Sequence, residues 1–234
     1  MRLSRHLLTK IIEINLFSTV YLNFIMFPFS KAIRFPILIF GKVTIKNVRK
    51  GRLVFNCPLT TGILQIGKRS LGFLDKHNCR TIWNVAGTLY VHGKASIGQG
   101  CCVEVEKDAV MTLGRNFNVT GRSVLLCTDQ ITFGDDCLLS WDLLIMDTDW
   151  HKVISTTDGG ILNPSKPINI GNHVWIGCRS LILKGVNISD NVIVAANSTI
   201  SRNIDEEFVV VGSIERECRL GMLRSAEYMS AYIM

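Results

Sequence analysis

His151 lies in the motif DTDWH, whose residue types suit proton transfer. Imidazole titrates near neutral pH, so it can take a proton from a hydroxyl group while that oxygen attacks another molecule. Asp147 and Asp149 flank the histidine, and a carboxylate bonded to the ring would orient it and stabilise its protonated form. Asp149 and His151 share one side of an extended chain, which favours Asp149 as that partner. Alternatively, both carboxylates only cap turns.

The position of His151 along the chain favours a cleft over a core. A regular apolar spacing ends after Ile145 and resumes only at Ile168. The segment 151–167 is rich in Thr, Asp, Gly, Asn and Pro, so it predicts a loop that leaves a regular scaffold. Functional residues are frequent on such loops. Asp142, a polar residue on the preceding scaffold, is a further candidate for contact with a substrate.

An internal repeat predicts the scaffold that must position this loop. An aliphatic residue recurs at every sixth position, at Ile170, Ile176, Ile182, Ile188, Val194 and Ile200. Four positions after each stands a small or β-branched residue, at Val174, Ser180, Val186, Val192, Ser198 and Ile204. Neither a helix nor a flat strand has this period, which is typical of a parallel β-helix built from hexapeptides. Stacked coils would bury the aliphatic residues in a continuous ladder.

The same spacing extends toward the N-terminus with interruptions. Earlier sets with the step of six are Val91, Ile97 and Val103, then Leu113, Val119 and Leu125, then Phe133, Leu139 and Ile145, and Ile66 can start another. A two-residue slip precedes Phe133. Ordinary β-sandwich strands are the alternative, but they would not keep an unbroken period of six. The fold class is therefore predicted to be all-β.

The net charge of +7 belongs to the N-terminal segment. Residues 1–50 contain nine Lys or Arg residues and one acid, Glu13, whereas the remainder is close to neutral. Apolar residues over 7–25 fall at spacings of three and four, which predicts an amphipathic helix ending near Pro28. Residues 14–30 are too few and too polar to span a bilayer. The helix would either lie on an anionic membrane surface or pack on the protein.

Composition divides the chain and excludes several classes. We expect a basic amphipathic arm over 1–42, a β-helix over 43–204 and a short C-terminal tail over 205–234. With 47% apolar and 19% charged residues the chain is not disordered. A neutral body argues against a nucleic-acid partner. Eight cysteines without a CxxC pair, and no evident signal peptide, favour reduced thiols in a cytoplasmic protein with no required metal.

The run MDTDWHKVI, followed by KPINIGNHVWIGCRSLILKGVNISDNVIVAANSTISRNI, resembles the hexapeptide-repeat acyltransferases. The similar branch includes galactoside and maltose O-acetyltransferases and surface-polysaccharide O-acetyltransferases, and the likeness is strongest over 133–219. It implies a left-handed parallel β-helix and a homotrimer with its active site between subunits. It also implies transfer of an acetyl group from acetyl-CoA to a hydroxyl or amine, with His151 as the general base.

The resemblance further implies where acetyl-CoA and the acceptor would bind. The residues it assigns to the coenzyme are Trp175, Cys178, Ala196, Ser201, Arg202, Arg216 and Arg219. The small ones would let the ligand approach the backbone, and the arginines would bind phosphate. Asp142 and Asp147 would contact the acceptor. Ile214 replaces the family's proline, which puts the geometry around Arg216 and Arg219 in doubt; corner packing and solvated charge are the alternatives.

The predicted function is therefore acetyl transfer to a sugar hydroxyl in bacterial surface polysaccharide, at or near the inner face of the membrane. A non-catalytic trimeric scaffold is one alternative. A γ-carbonic-anhydrase-like metalloprotein is another, but it needs three zinc-binding histidines with two close in sequence, and His151 and His173 are 22 positions apart. A sugar nucleotidyltransferase is disfavoured because no nucleotide-binding domain precedes the repeats.

Overall fold

A computed structural model describes residues 13–75, 79–212 and the backbone of 218–219. Within these ranges the chain forms two short helices, α1 (Leu16–Met26) and α2 (Phe29–Ala32), followed by 22 strands. Apart from the last two strands, every third strand belongs to the same sheet, so the strands form three sheets that are the three faces of one prism.

The three faces are named here in chain order. Face 1 consists of β1 (Ile37–Ile39), β4 (Leu64–Lys68), β7 (Ala95–Gln99), β10 (Phe117–Gly121), β13 (Leu138–Trp141), β16 (Trp175–Ile176), β19 (Ile193–Val194), β21 (Val209–Val211) and β22 (Cys218–Arg219). Face 2 consists of β2 (Val43–Lys46), β5 (Thr81–Val85), β8 (Cys102–Val105), β11 (Val124–Cys127), β14 (Leu144–Met146), β17 (Leu181–Ile182) and β20 (Thr199–Ile200). Face 3 consists of β3 (Leu53–Phe55), β6 (Thr88–Val91), β9 (Val110–Leu113), β12 (Gln130–Phe133), β15 (Ile168–Ile170) and β18 (Asn187–Ile188).

Three consecutive strands make one coil, and the strand pairs along each face are parallel except β21 with β22. This is the parallel β-helix that the period of six predicts, so the fold class is confirmed. The sheets extend past the expected bounds of 43–204, because β1 pairs with β4 and β21 pairs with β19.

The core of the prism is the predicted aliphatic ladder. All six residues spaced by six from Ile170 to Ile200 are buried, and so are the residues four positions after each. The three earlier sets and Ile66 are buried as well. Neighbouring coils align these side chains directly; Ile176, for example, pairs with Val194. Each coil therefore covers the apolar side chains of the next.

Coil length explains why the period weakens toward the N-terminus. Ile97 pairs with Val119, 22 residues later, and Val119 pairs with Leu139, 20 residues later. From Ile176 to Val194 the step is only 18 residues. The predicted two-residue slip is therefore a coil with longer strands, and strict hexapeptides begin only after the excursion.

The corners of the later coils share one backbone conformation. His173, Arg179, Gly185, Asn191 and Asn197 recur every six residues and have φ between 53° and 79°. Gly and Asn adopt this left-handed region with the least strain, which explains their places in the repeat. The left-handed residue lets the chain turn sharply from one face to the next.

Helix α1 covers the exposed edge of face 1. Asn15 caps its first turn by accepting a hydrogen bond from the Ser18 amide at 3.0 Å. The Asn23 amide group donates to the Ile37 carbonyl at 2.7 Å and accepts from the Ile37 amide at 3.1 Å. Edge strands need such protection because their unpaired backbone groups otherwise attract other strands. Residues 1–12 of the expected arm lie outside the described ranges.

The cysteines contribute to this core as small apolar groups. The seven cysteine side chains in the described ranges are free thiols. Burial raises the pKa of Cys101 to about 12, and it does the same for Cys137. Thiols with so high a pKa are protonated at neutral pH and react slowly.

Neither helix in the described part of the chain has the length and hydropathy that a membrane span requires.

Candidate functional site

The predicted loop contains a short β-hairpin. It leaves face 2 after β14 and returns to face 3 at β15. Ile154 and Ile161 form an antiparallel bridge, and the Leu162 amide donates to the Val153 carbonyl at 2.8 Å. Gly159 at the tip has φ of +72°. This excursion therefore has two paired arms and a fixed base.

Asp147 fastens the base of the excursion to the preceding coil. Its buried carboxylate accepts hydrogen bonds from the Thr128 amide at 2.8 Å, the Thr128 hydroxyl at 3.0 Å and the Asp129 amide at 2.8 Å. Its carbonyl accepts from the Lys166 amide at 2.9 Å, which joins the two ends of the excursion. The carboxylate faces the coil below and not an open cleft, so contact between Asp147 and a substrate stays a prediction.

Asp149 follows Asp147 by two residues along the excursion, and its carboxylate accepts hydrogen bonds from two side chains. Lys184 donates to its carboxylate at 2.6 Å, and the Asn163 amide group donates at 2.9 Å. The hydrogen bond from Lys184, followed by that from Asn163, lowers the pKa of Asp149. The carboxylate is thus directed to Lys184 and Asn163 instead of the His151 ring, and its role in orienting that ring stays a prediction.

Lys184 and Asn163 are site residues that sequence analysis missed. The Lys184 ammonium also donates to the carbonyls of Asn163 and Pro164, both at 3.1 Å, and its side chain is only 18% exposed. Asn163 donates to the His151 carbonyl at 2.7 Å and accepts from the Val153 amide at 2.6 Å. The available signal was the place of Lys184 at a corner of the first coil that is completed after the excursion.

His151 presents an exposed ring from a fixed backbone. Its amide donates to the Asp149 carbonyl at 2.7 Å, and its carbonyl accepts from Asn163. Trp150 before it has φ of 65° and is 56% exposed. An accessible imidazole whose main chain is fixed on both sides can exchange protons with a bound molecule.

A second group of predicted residues lies along the corner between faces 1 and 2. Asp142, Cys178 and Ala196 occupy this corner in three successive coils, and the Asn197 amide donates to the Cys178 carbonyl at 2.8 Å. A Cβ atom on Gly177 would lie 2.5 Å from the Ala196 nitrogen, so only glycine fits there. Small residues leave the backbone of this corner open to a ligand.

Two of the predicted residues at or beside this corner already make polar contacts. Asp142 forms a two-point ion pair with Arg122, at 2.7 Å to Nε and 2.5 Å to Nη2. Trp175 on face 1 is 40% exposed, and its indole nitrogen donates to the Ser140 hydroxyl at 3.2 Å. Both predicted residues remain accessible at the surface, but the Asp142 carboxylate is already paired.

The remaining predicted coenzyme residues lie elsewhere. Ser201 and Arg202 are exposed at the corner between faces 2 and 3, in the coil next to Lys184. The backbone of Arg219 pairs with Val209 on face 1. Arg216 lies outside the described residues. In one chain, Trp175 and Arg219 thus lie on face 1, and the other described residues are divided between the two corners that border face 2, with His151 at one and Cys178 at the other.

Across the described ranges, no three His, Cys, Asp or Glu side chains form a group that could hold a metal ion.

Comparisons with known proteins agree with this fold. Residues 167–202 match the family described as bacterial transferase hexapeptide (six repeats). The chain is 33% identical over 90 residues to a polysialic acid O-acetyltransferase of Neisseria meningitidis, covering 38% of this chain and 39% of that protein. It is 30% identical over 122 residues to the galactoside O-acetyltransferase of Escherichia coli K12, covering 50% and 60%.

A solved galactoside acetyltransferase in complex with coenzyme A aligns at 29% identity and a TM-score of 0.40, over 47% of this chain and 54% of that one. The chain thus spans less than two thirds of the length of each of these relatives. The sequence relatives are O-acetyltransferases, an acyltransferase class. The match of residues 167–202 to the hexapeptide-repeat transferase family thus falls within the regular coils of the parallel β-helix.

Proposed function

We propose that this protein is an acetyl-CoA-dependent O-acetyltransferase that acts on a sugar hydroxyl, with His151 as its general base. The observation that carries this proposal is the exposed His151 ring on a backbone fixed by Asn163 and Asp149. The names of the sequence relatives, which acetylate polysialic acid and galactosides, support a sugar as the acceptor.

The chemistry requires one proton acceptor at the reacting oxygen. Acetyl-CoA supplies the acetyl group as a thioester. The His151 imidazole takes the proton of the acceptor hydroxyl while the oxygen attacks the thioester carbonyl carbon, and the carbon–sulfur bond then breaks. The imidazolium returns the proton to the departing thiolate, so the base is regenerated.

The two corners of face 2 support a division of binding roles. Cys178 and Ala196 offer an open backbone to the pantetheine arm, with Trp175 beside them and Ser201 on the other corner. Arg202, together with Arg216 and Arg219, would neutralise the phosphates. Asp142 is proposed to contact the acceptor at the protein surface. Asp147 is proposed to help acceptor binding by fixing the base of the loop.

A homotrimer would bring the divided residues together. Flat prism faces can pack around a threefold axis, which places one corner of a subunit against a different corner of its neighbour. His151 of one subunit would then lie near Cys178 of the next. The separation of these residues within one chain supports a site shared between subunits.

The cellular setting follows from the same relatives. We place the protein in the bacterial cytoplasm, peripheral on the inner face of the membrane, where surface polysaccharide is assembled. The support is the likeness to a polysialic acid O-acetyltransferase and the basic segment over residues 1–50.

A screen of acceptor sugars tests this function. The protein is incubated with acetyl-CoA and each sugar, and free CoA is measured by chromatography, because partly exposed thiols such as Cys57 and Cys178 would react with thiol reagents. We expect one class of sugar to raise CoA release well above slow hydrolysis, and the acetylated sugar to appear by mass spectrometry. If no acceptor raises release and acetyl-CoA does not bind, the protein is a scaffold.

A further inference from the structure

Helix α1 buries two polar side chains beside Leu22 and leaves most of its large apolar side chains exposed. Thr19 and Asn23 are buried, where they bind the backbone of β1; the Thr19 hydroxyl accepts from the Ile39 amide at 3.0 Å. The opposite side exposes Leu16, Phe17, Val20, Tyr21 and Phe24. Packing on the β-helix accounts for Leu22 and Met26 but not for these five exposed apolar side chains.

Helix α2 and the turn after it enlarge the same surface. Phe29 is 71% exposed, and its ring lies 5.9 Å from that of Phe24. Phe17 and Tyr21 stack at 6.4 Å. We name this surface the aromatic cap; its residues are Leu16, Phe17, Val20, Tyr21, Phe24, Phe29 and Ile33. A contiguous exposed apolar surface of this kind marks an interaction site.

Cations border the aromatic cap. Lys31 and Arg34 are exposed within and just after α2, and residues 13–50 contain six Lys or Arg residues against one acid. Lys31 and Arg34 also line an open groove of about 480 Å³ whose other walls include Phe27 and Phe55. Apolar walls with a basic rim fit an amphiphile that has an anionic head.

We propose that the aromatic cap docks the protein on an anionic lipid surface. The aromatic rings would enter the headgroup region while Lys31 and Arg34 approach lipid phosphates. A second copy of the chain is a poorer occupant, because a symmetric contact would bring the two positive rims together. The proposal deepens the inner-face location proposed above, and it is independent of acetyl transfer.

Vesicle sedimentation tests the docking without any substrate. The full chain is mixed with phosphatidylcholine vesicles, with or without phosphatidylglycerol. We expect binding to the anionic vesicles, and release as salt is raised because exposed charge attraction is screened. Combined Phe17→Gln and Phe29→Gln, at the two most exposed cap aromatics, should weaken binding at least about tenfold. The control Phe208→Gln, at an exposed aromatic near the opposite end of the prism, should bind as the native chain does.

Two double charge-reversal variants distinguish docking through the aromatic cap from general electrostatic attraction between the protein and anionic vesicles. Lys31→Glu with Arg34→Glu should weaken binding at least about tenfold. Lys94→Glu with Lys107→Glu changes the net charge equally at exposed coil positions and should have a much smaller effect. Equal binding by the cap variants and the native chain would overturn the proposal, as would absence of native binding. If the native chain does not bind vesicles and the Phe17→Gln, Phe29→Gln variant forms a smaller oligomer than the native chain, the aromatic cap is a contact between subunits.

Discussion

The ammonium group of Lys184 bonds to three oxygens from the two ends of the excursion. Its partners are the Asp149 carboxylate on the outgoing arm and the carbonyls of Asn163 and Pro164 on the returning arm. Asn163 in turn bonds to the His151 carbonyl. Lys184 therefore acts on His151 through two intermediates, which makes it a positioning residue.

Replacing Lys184 by Met should reduce turnover more than binding. The methionine keeps the apolar stem but removes the donor to the two carbonyls and leaves Asp149 with Asn163 alone, so we expect kcat to fall about tenfold or more. The affinity for CoA should change little. Lys184→Arg should restore part of the turnover, and Lys107→Met, at an exposed lysine of another coil, should be neutral. Steady-state kinetics measures kcat, and calorimetry measures the affinity for CoA. A loss of CoA affinity with unchanged kcat would contradict this role.

Arg202 should show the reverse pattern. It is exposed at the corner between faces 2 and 3, where a phosphate could reach it. Arg202→Ala should weaken CoA binding by about 1–3 kcal/mol and leave the chemical step intact. Arg115→Ala, which removes an exposed arginine paired with Asp135 on an earlier coil, is the control. If Arg202→Ala binds CoA with native affinity in calorimetry, the phosphates are held elsewhere.

Among the structural elements, the corners of the β-helix are stacked so tightly that they limit which side chains the fold tolerates there. Gly114, Gly134 and Gly171 stack at the corner between faces 3 and 1. A Cβ on Gly134 would lie 2.6 Å from the backbone of Gly171, closer than any side chain can approach. The corner backbones are in contact, so no side chain can be added there without moving a coil.

Gly134→Ala should therefore destabilise the fold. We expect a loss of about 1–3 kcal/mol from overpacking against backbone, with Tm falling by about 2–4 °C for each kcal/mol. Gly72→Ala is the matched control, because a Cβ there meets nothing within 4 Å. Thermal unfolding followed by circular dichroism compares the two. Equal Tm values would show that the coils move apart at little cost.

The repeat could be predicted because burial imposes it locally. Each coil must place an aliphatic residue inward at a fixed step, so core residues such as Ile176 and Ile182 can be recognised from their spacing within one stretch of sequence. The longer early coils weaken the period because their strands have four or five residues. The contacts of Lys184 could not be predicted, since Asp149 is 35 positions away and meets it only when two coils stack.

The helix at the N-terminus shows the same limit. Its amphipathic spacing indicated a helix that ends near Pro28, and α1 ends at Met26. The spacing did not reveal that Thr19 and Asn23 would face inward. Their burial depends on the edge of β1, whose unpaired backbone groups need hydrogen-bond partners.

At the scale of the whole molecule, the division of candidate residues between two corners bears on assembly. His151 leaves the prism at the corner between faces 2 and 3, whereas Cys178 and Ala196 lie between faces 1 and 2. If both groups serve one reaction, neighbouring subunits must combine them. Sedimentation should then give about three times 26.2 kDa, and a stable monomer at micromolar concentration would contradict the shared site.

Mixed assemblies should test the shared site directly. His151→Asn removes the base, and Ala196→Trp should block the proposed coenzyme groove, so each variant alone should be inactive. Trimers formed by co-expression of both at equal amounts should regain about a quarter of native activity, because a quarter of the subunit contacts join two intact corners. Separately purified variants mixed without exchange serve as the control. Absence of recovery in verified mixed trimers would place the whole site in one subunit.

The role of His151 as general base is tested most directly by acetyl transfer by the His151→Asn variant to the best acceptor, with CoA affinity measured by calorimetry. We expect turnover to fall by about 10²–10⁴, the usual contribution of a positioned general base, with assembly and CoA binding retained. His173→Asn is the matched control, since this exposed histidine has φ of 53°, which asparagine adopts readily, and its variant should turn over normally. Near-native turnover by His151→Asn would contradict the proposed mechanism, and loss of CoA binding in that variant would show that His151 is structural.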